Sequence, residues 1–285
     1  MSSIYTLEAD VRDLLKTKGW MTESLQKELG DAVSTRIKKQ FEEYDRPTLR
    51  LSQMGPRCPK ALWHSIHTPE EAEPMGHWAE AKFSIGHFWE AYALVLCKAA
   101  GHKVEGEQHE FVLDGVKGHC DAIVDGCLVD YKSCSSRQFG KFKSGTIQQD
   151  DPFGYLEQLD GYVLAGREDP ILHVKDRGFI FAVDKQMGHM KIHEHHTRDS
   201  IADRVKEYKA IVARTNPPEC NCETTPFGNS GNIRLGTRAS YSPFKWCCFP
   251  NKLRCFIYET GPVYLVKTVR KPDVREVDKL GRTVV

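Results

Sequence analysis

The sequence contains no apolar run long enough to cross a bilayer. Its amino terminus has neither the basic start nor the apolar stretch of a secretory signal. Internal repeats and low-complexity tracts are also missing. We therefore expect a soluble cytoplasmic protein that has no membrane partner.

An excess of either charge is missing too, because 40 Lys and Arg residues nearly balance 39 Asp and Glu residues, for a formal net charge of +1. A protein that binds nucleic acid through an overall basic field is thereby excluded, and contact with DNA would need a local basic patch. Cysteine, in contrast, is plentiful, with ten residues. In a reducing compartment they argue against a disulfide framework and make a metal or cluster site worth testing.

The length of 285 residues allows a core domain with appendages. The patterns predict an N-terminal helical region over 1–74, a core over 75–215 and a cysteine-containing C-terminal segment over 216–285 that packs back on the core. Apolar residues four apart predict an amphipathic helix over 22–44, and a second pattern predicts a long helix over 75–100.

The centre of the core is predicted to be a β-hairpin. Two segments rich in β-branched and apolar residues, 117–124 and 127–133, flank Asp125-Gly126, which is a two-residue hairpin signal. The prediction places Asp121 in the first strand and Asp130 in the second, with Lys132 two residues later. Because side chains alternate along a strand, Asp130 and Lys132 share a face and would meet Asp121 across the hairpin.

Two carboxylates beside a lysine suit phosphodiester hydrolysis. Carboxylate oxygens bind Mg²⁺ or Mn²⁺, the metal lowers the pKa of a bound water, and a nearby lysine orients or deprotonates that water. An isolated Asp-x-Lys on a strand is more often a solvated pair, so the interpretation depends on the flanking elements.

The predicted helix before the hairpin carries Gly86 and Glu90. A glycine inside a helix costs about 1 kcal/mol relative to alanine, which predicts close approach of another element at Gly86. A helix predicted over 153–166 places Gln158 and Tyr162, four residues apart, on one face.

The segment that follows the hairpin is predicted as a loop. It mixes hydroxyls and aromatic rings with the cations Arg137, Lys141 and Lys143, as does a groove that contacts a phosphate backbone and stacks bases. Loops of ordinary enzymes have the same composition, so the segment is either a DNA-contacting loop or an ordinary surface loop.

The order Glu90, Asp121, Asp130-x-Lys132, then Gln158-x3-Tyr162 resembles the PD-(D/E)XK nuclease superfamily. The likeness is to its RecB-like and Cas4-like branch, and most closely to the exonucleases of tailed phages. It implies an α/β fold with a restriction-endonuclease-like core, a central mixed sheet flanked by helices, together with N-terminal helical and C-terminal cysteine-containing appendages.

The resemblance also implies roles for individual residues. Glu90, Asp121 and Asp130 would bind Mg²⁺ or Mn²⁺ together with the backbone carbonyl of Tyr131, and Lys132 would act on the attacking water. Gln158 and Tyr162 would contact the DNA strand or support the site.

The cysteines depart from the family pattern. Many Cas4-like nucleases hold an iron–sulfur cluster with one cysteine before the core and three after it. Cys58 and Cys248 match two of these positions, but Ala239 and Ser242 occupy the other two and cannot ligate iron. These replacements favour loss of the cluster. The alternative is zinc or a rearranged cluster bound by Cys58 and Cys248 with others from a further set of candidates, Cys220, Cys222, Cys247 and Cys255.

The resemblance implies a metal-dependent DNA exonuclease that acts in phage recombination, replication or DNA degradation. Its location would be the host cytoplasm if a phage encodes it, and its partners would be DNA and a single-strand annealing or replication protein. Two alternatives stay open. One is an endonuclease or flap nuclease of the same fold, and the other is a non-catalytic DNA-binding or interaction module that retains the fold.

Overall fold

A computed structural model describes residues 3–42 and 47–284. The chain separates into two compact units, and both are discontinuous in sequence, whereas the three predicted segments are consecutive. The first unit comprises Met1–Tyr44, Arg50–Gly55 and His77–Val205. The second comprises Asp45–Leu49, Pro56–Gly76 and Lys206–Val285.

Helices and strands alternate along the described residues. The helices are α1 (Leu7–Lys16), α2 (Glu23–Gln40), α3 (Pro59–His67), α4 (His77–Ala99), α5 (Ser136–Ser144), α6 (Tyr155–Ala165), α7 (Ile201–Val212), α8 (Thr237–Ser240) and α9 (Lys245–Cys248). The strands are β1 (Val104–Glu105), β2 (Glu110–Leu113), β3 (Val116–His119), β4 (Ala122–Val124), β5 (Cys127–Cys134), β6 (Arg177–Asp184), β7 (Met190–His196), β8 (Thr224–Phe227), β9 (Asn232–Leu235), β10 (Arg254–Tyr258), β11 (Gly261–Lys267) and β12 (Glu276–Val277). Within the described ranges, no helix has both the length and the apolar character needed to span a membrane.

The first unit is built on a five-stranded mixed sheet in the order β1-β4-β5-β6-β7. β5 and β6 pair in parallel, and the other neighbours are antiparallel. A parallel pair needs a long connection, which α5 and α6 supply. The register places Asp130 of β5 opposite Ile180 of β6, so Asp130 lies on the central strand of the sheet.

Helices cover both faces of this sheet. Val129 and Tyr131 of β5 belong to a buried cluster that includes Leu7 of α1 and Leu94 of α4. Because side chains alternate along a strand, Asp130 and its neighbours two residues away point to the opposite face, where α6 packs. The central mixed sheet flanked by helices is therefore confirmed.

The predicted turn is present, but the first strand of the hairpin is not continuous. Asp125 and Gly126 both have positive φ, 51° and 76°, as a type I′ turn requires. β3 pairs only with β2 in a separate two-stranded sheet, and β4, which pairs with β5, begins at Ala122. The prediction that Asp121 lies in a strand was wrong, because the chain changes sheets there.

The predicted loop after the hairpin is largely α5. Ser135 caps this helix by accepting a hydrogen bond from the backbone N–H of Gln138, and Gly145 ends it with a φ of 78°. Phe139 and Phe142 are buried on one face of the helix. The prediction of a loop was wrong, because a short amphipathic helix with few apolar residues has the same polar composition as a loop.

The second unit contains a five-stranded antiparallel sheet in the order β12-β10-β11-β9-β8. A buried ion pair joins Lys245 of α9 to Glu73, and the same carboxylate accepts a hydrogen bond of 3.0 Å from Trp246 Nε1. These bonds satisfy a charge that would otherwise be costly to bury.

Candidate active site and cysteine cluster

Asp130 is the most buried carboxylate of the predicted site, with 1% of its side chain exposed. Its Oδ1 accepts a hydrogen bond of 3.2 Å from Gln158 Nε2 of α6. Its Oδ2 lies 2.6 Å from Lys132 Nζ and accepts no hydrogen bond of normal geometry from any residue in the described ranges. Without metal, this oxygen is therefore paired with the ammonium group of Lys132, and it is a carboxylate oxygen of the kind that binds Mg²⁺.

Asp121 lies beside Asp130 because its Oδ2 accepts a hydrogen bond of 2.7 Å from the backbone N–H of Tyr131. Burial, and then the negative charges of Asp130 and Glu90, raise the pKa of Asp121 well above its usual value. The N–H and C=O of one strand residue point to the same edge, so the Tyr131 carbonyl also faces Asp121. A divalent cation would relieve the repulsion among these groups, and their oxygens are the ligands that Mg²⁺ prefers.

Glu90 is held by residues from other elements and is not a solvated helix carboxylate. Its Oε1 accepts hydrogen bonds of 3.1 Å from Arg36 Nε of α2 and 3.0 Å from Gln108 Nε2. His87 Nδ1 lies 3.9 Å from Oε2. Burial alone would raise the pKa of Glu90, but His87 and the charge of Arg36 together lower it. Glu90 is therefore ionised at neutral pH.

Lys132 has two carboxylates for neighbours and an aromatic ring above it. Burial works against its charge, but Asp130 and Asp121 raise its pKa above the usual value, so the metal-free site holds an ammonium group. The Tyr155 ring centroid lies 5.3 Å from Nζ, within range of a cation–π interaction. Lys132 is thus oriented as a proton donor at the edge of the carboxylate group.

Gln158 and Tyr162 support the site from α6. Gln158 Nε2 contacts both Asp130 and, at 3.4 Å, the Tyr162 hydroxyl oxygen. Tyr162 is only 2% exposed. A Cβ on Gly118 of β3 would lie 2.6 Å from the Tyr162 ring, so glycine is required for the ring to pack there. Of the two roles predicted for this pair, the geometry fits support of Asp130.

The three predicted DNA-binding cations lie on α5 and differ in their surroundings. Arg137 and Lys143 are exposed. Lys141 Nζ lies 2.6 Å from an Asp150 carboxylate oxygen, and only 15% of the Lys141 side chain is exposed. Lys141 therefore has a local partner that the sequence reading did not anticipate.

Sequence reasoning missed Arg36, Gln108 and Tyr155. Arg36 lies on α2, which the sequence predicted only as an amphipathic helix, and it comes 54 residues before Glu90. Tyr155 comes three residues before Gln158 on α6, a spacing that places both on one helix face and could have been noticed.

Gly86 does pack near another element, with its ideal Cβ position 3.8 Å from Ser133 Oγ. That distance is an ordinary van der Waals contact, so the predicted close approach does not by itself require glycine.

Four cysteines of the second unit form a cluster, which we call the cysteine quartet: Cys58, Cys220, Cys222 and Cys248. All four Sγ atoms lie within 4.8 Å of one another. Cys58 Sγ is 3.7 Å from Cys220 Sγ and 3.6 Å from Cys248 Sγ. The quartet can bind a metal such as zinc or an iron–sulfur cluster.

The quartet fits the alternative to loss of the cluster, in which other cysteines join Cys58 and Cys248. Cys220 and Cys222 bring two thiols to it, although Ala239 and Ser242 occupy the family positions. The other two candidates are not members. Cys247 Sγ lies 3.8 Å from the Glu71 carbonyl oxygen, and Cys255 is buried in β10.

The thiols of the quartet influence one another's ionisation. Hydrogen bonds with Cys220, Cys222 and Cys248 lower the pKa of Cys58. Hydrogen bonds with Cys222 and Cys248 lower the pKa of Cys220 to about 7. The same contacts raise the pKa of Cys222 and Cys248, so the metal-free quartet keeps protons on part of its thiols. Thiolates are the metal-binding form of cysteine, so a bound metal would displace these protons.

Comparisons with known proteins add little to this geometry. No protein-family model matches the chain. No curated protein matches it either. A solved structure described as "Crystal structure of SSO0001" matches at 14% sequence identity with a TM-score of 0.44, and the match covers 77% of this chain and 94% of that chain. The mixed α/β architecture and the quartet therefore stand on the geometry described above.

Proposed function

We propose that this protein is a Mg²⁺- or Mn²⁺-dependent DNA nuclease of the PD-(D/E)XK type. The observation that carries the proposal is the buried Asp130 carboxylate, which contacts both Lys132 and Gln158 and whose charge acts on Asp121. The motif order described from the sequence supports the family assignment, and exonuclease action is favoured because the likeness is strongest to phage exonucleases.

Each residue has a role in this proposal. Asp121, Asp130 and the Tyr131 carbonyl would hold the cation, with Glu90 completing the acidic group. The cation, when bound, supplies activation of water and stabilises charge on the phosphate. Lys132, which is protonated in the metal-free site, would donate a hydrogen bond to the attacking water or to a phosphate oxygen and so orient it. Gln158 and Tyr155 keep Asp130 and Lys132 in place.

Digestion of end-labelled linear, circular and single-stranded DNA with Mg²⁺ or Mn²⁺ tests the proposal. The wild-type protein should degrade linear DNA only when metal is present, and circular DNA should resist if an end is required. Asp130→Ala and Lys132→Ala should abolish cleavage while the protein stays folded by circular dichroism. Asp169→Asn, a change to an aspartate that pairs with His109 outside the carboxylate group, is the matched control.

Several outcomes would count against a nuclease. Full activity of Asp130→Ala or Lys132→Ala would refute the assigned roles. If the wild-type protein cleaved no DNA and took up no Mn²⁺ in calorimetry, yet bound DNA, the chain would be a non-catalytic DNA-binding module. Cleavage of circular DNA would replace the exonuclease by an endonuclease.

We also propose that the cysteine quartet binds a single zinc ion. With Zn–S bonds of about 2.3 Å, the sulfurs of a tetrahedral zinc site lie about 3.8 Å apart. The Cys58 distances of 3.7 and 3.6 Å fit that spacing. Metal analysis of protein purified without oxygen should find about one zinc per chain. Iron with acid-labile sulfide and a brown colour would show a cluster instead.

A further inference from the structure

Exposed aromatic side chains on α4 lie on two different faces of the helix. Phe83 is 53% exposed, and no other aromatic ring of the described residues packs against it. Phe88 is 42% exposed, but its ring stacks on Tyr92 at 5.8 Å. At 100° per residue, the two phenylalanines point about 140° apart. The same helix therefore carries a covered aromatic face and an uncovered ring.

Phe83 shares its face with the candidate active site. Phe83, Gly86 and Glu90 follow the spacing i, i+3 and i+7, which aligns them along one side of the helix. With a rise of about 1.5 Å per residue, Phe83 lies about 10 Å along the helix from Glu90. In a stacked strand with about 3.4 Å per nucleotide, that distance spans roughly three nucleotides.

The surroundings of Phe83 suit a flat ligand. Of the four neighbours one turn away, Ala79 and Gly86 carry at most a methyl group and lie on one side of Phe83, whereas Glu80 and His87 lie on the other side. One flank of the Phe83 ring is thus open to a planar ring. Proteins that bind single-stranded nucleic acid without sequence preference stack bases on such exposed aromatic side chains.

We propose that Phe83 stacks a base of single-stranded DNA about three nucleotides from the phosphate that is cleaved. The inference rests on the proposed nuclease function, because the carboxylates fix where the strand must run. It assigns α4 two tasks, since Glu90 contributes to the metal site and Phe83 contacts the strand. It also supplies a role for Gly86, whose missing side chain leaves the helix surface flat between them.

Fluorescence anisotropy with a labelled single-stranded oligothymidine tests the proposal in EDTA, where no cleavage occurs. Phe83→Ala should weaken binding at least about 5-fold, the effect expected from losing one stacked base. Phe83→Trp should bind within about 2-fold of wild type, and its added fluorescence should be quenched by the oligonucleotide. Phe88→Ala, on the same helix with similar exposure, should change binding less than about 2-fold because its ring faces elsewhere.

An oligonucleotide of abasic sites separates stacking from other effects. Wild type should bind it more weakly than oligothymidine, and Phe83→Ala should bind it as wild type does. Equal losses in Phe83→Ala and Phe88→Ala, or a Phe83→Ala defect that persists on the abasic strand, would overturn the proposal. Because binding is measured without cleavage, stacking at Phe83 in a protein that cleaves no DNA would count against the nuclease alone. Cleavage with unchanged binding by Phe83→Ala would count against Phe83 alone.

Discussion

Asp121→Asn should make the metal-free protein more stable while removing its response to Mn²⁺. Asp121 and Asp130 share a single close ammonium group, that of Lys132, since Glu90 has Arg36 as its own partner. One negative charge of the pair is therefore uncompensated without metal. The asparagine Oδ1 can still accept the hydrogen bond from the Tyr131 N–H, so the change removes charge and keeps the contact.

The expected gain is about 0.5 to 2 kcal/mol, the usual range when a functional site is relieved of strain. For a chain of this size, it corresponds to about 1 to 8 °C in melting temperature. Wild type at a Mn²⁺ concentration of about 100 times the Kd should gain about 2.7 kcal/mol. Asp121→Asn, which lacks one ligand charge, should gain much less. Thermal melts of both proteins in EDTA and in Mn²⁺ measure all four values.

The pH dependence has a definite sign. The raised pKa of Asp121 means that the folded protein holds this proton more tightly than the unfolded chain does. The stability from this group is complete below its ordinary pKa and is lost as pH rises through the raised value. Asparagine does not titrate, so the advantage of Asp121→Asn in EDTA should be small in acid and largest in mild alkali.

Asp184→Asn is the matched control with the opposite sign. Burial would raise the pKa of Asp184, but hydrogen bonds from the Gln186 and Met187 N–H groups and the Ser136 hydroxyl lower it. Its contribution is present above the ordinary pKa and is lost as pH falls through the lowered value. Asp184→Asn should therefore destabilise the protein at neutral pH. An Asp121→Asn protein that is less stable than wild type in EDTA, or that keeps the full Mn²⁺ shift, would refute the reasoning.

Two further predictions concern glycine and the cysteine quartet. Gly86→Ala should stabilise the protein by about 0.5 to 1 kcal/mol in urea unfolding, because the new methyl has room and alanine favours a helix. Gly178→Ala should destabilise it by about 1 to 3 kcal/mol, since its Cβ would lie 2.8 Å from Leu159 Cγ in the core; similar stability of the two variants would contradict this. Cys222→Ser should remove the bound zinc and lower the melting temperature, whereas Cys255→Ser should keep the metal, and a shared loss would show that Cys255 belongs to the site.

The sequence predicted the elements of the first unit well where periodicity was strong. The helices α4 and α6 were expected within two residues of their observed bounds. α5 was missed because its few apolar residues stand among many polar ones. The break before β4 was missed because the chain leaves the two-stranded sheet and enters the five-stranded sheet at Asp121. Local patterns report burial, and they do not report which partner strand a residue joins.

The candidate site shows the same division between local and distant information. The sequence predicted Asp130 and Lys132 on one face of a strand, and the structure places their charged groups 2.6 Å apart. It gave no sign that Arg36 and Gln108 would hold Glu90, because those residues are 54 and 18 positions away. Such contacts depend on how helices pack, which a spacing rule cannot supply.

The sequence by itself determined the chemistry that is available, namely three carboxylates, a lysine and ten cysteines with a characteristic order along the chain. It could not decide which thiols meet. In the cysteine pattern of the Cas4-like nucleases, two ligand positions fall on Ala239 and Ser242. In the folded second unit, Cys220 and Cys222 lie beside Cys58 and Cys248 instead. Only tertiary structure decides this, because residues 162 and 190 positions apart are brought together by the packing of the whole unit and by no local preference.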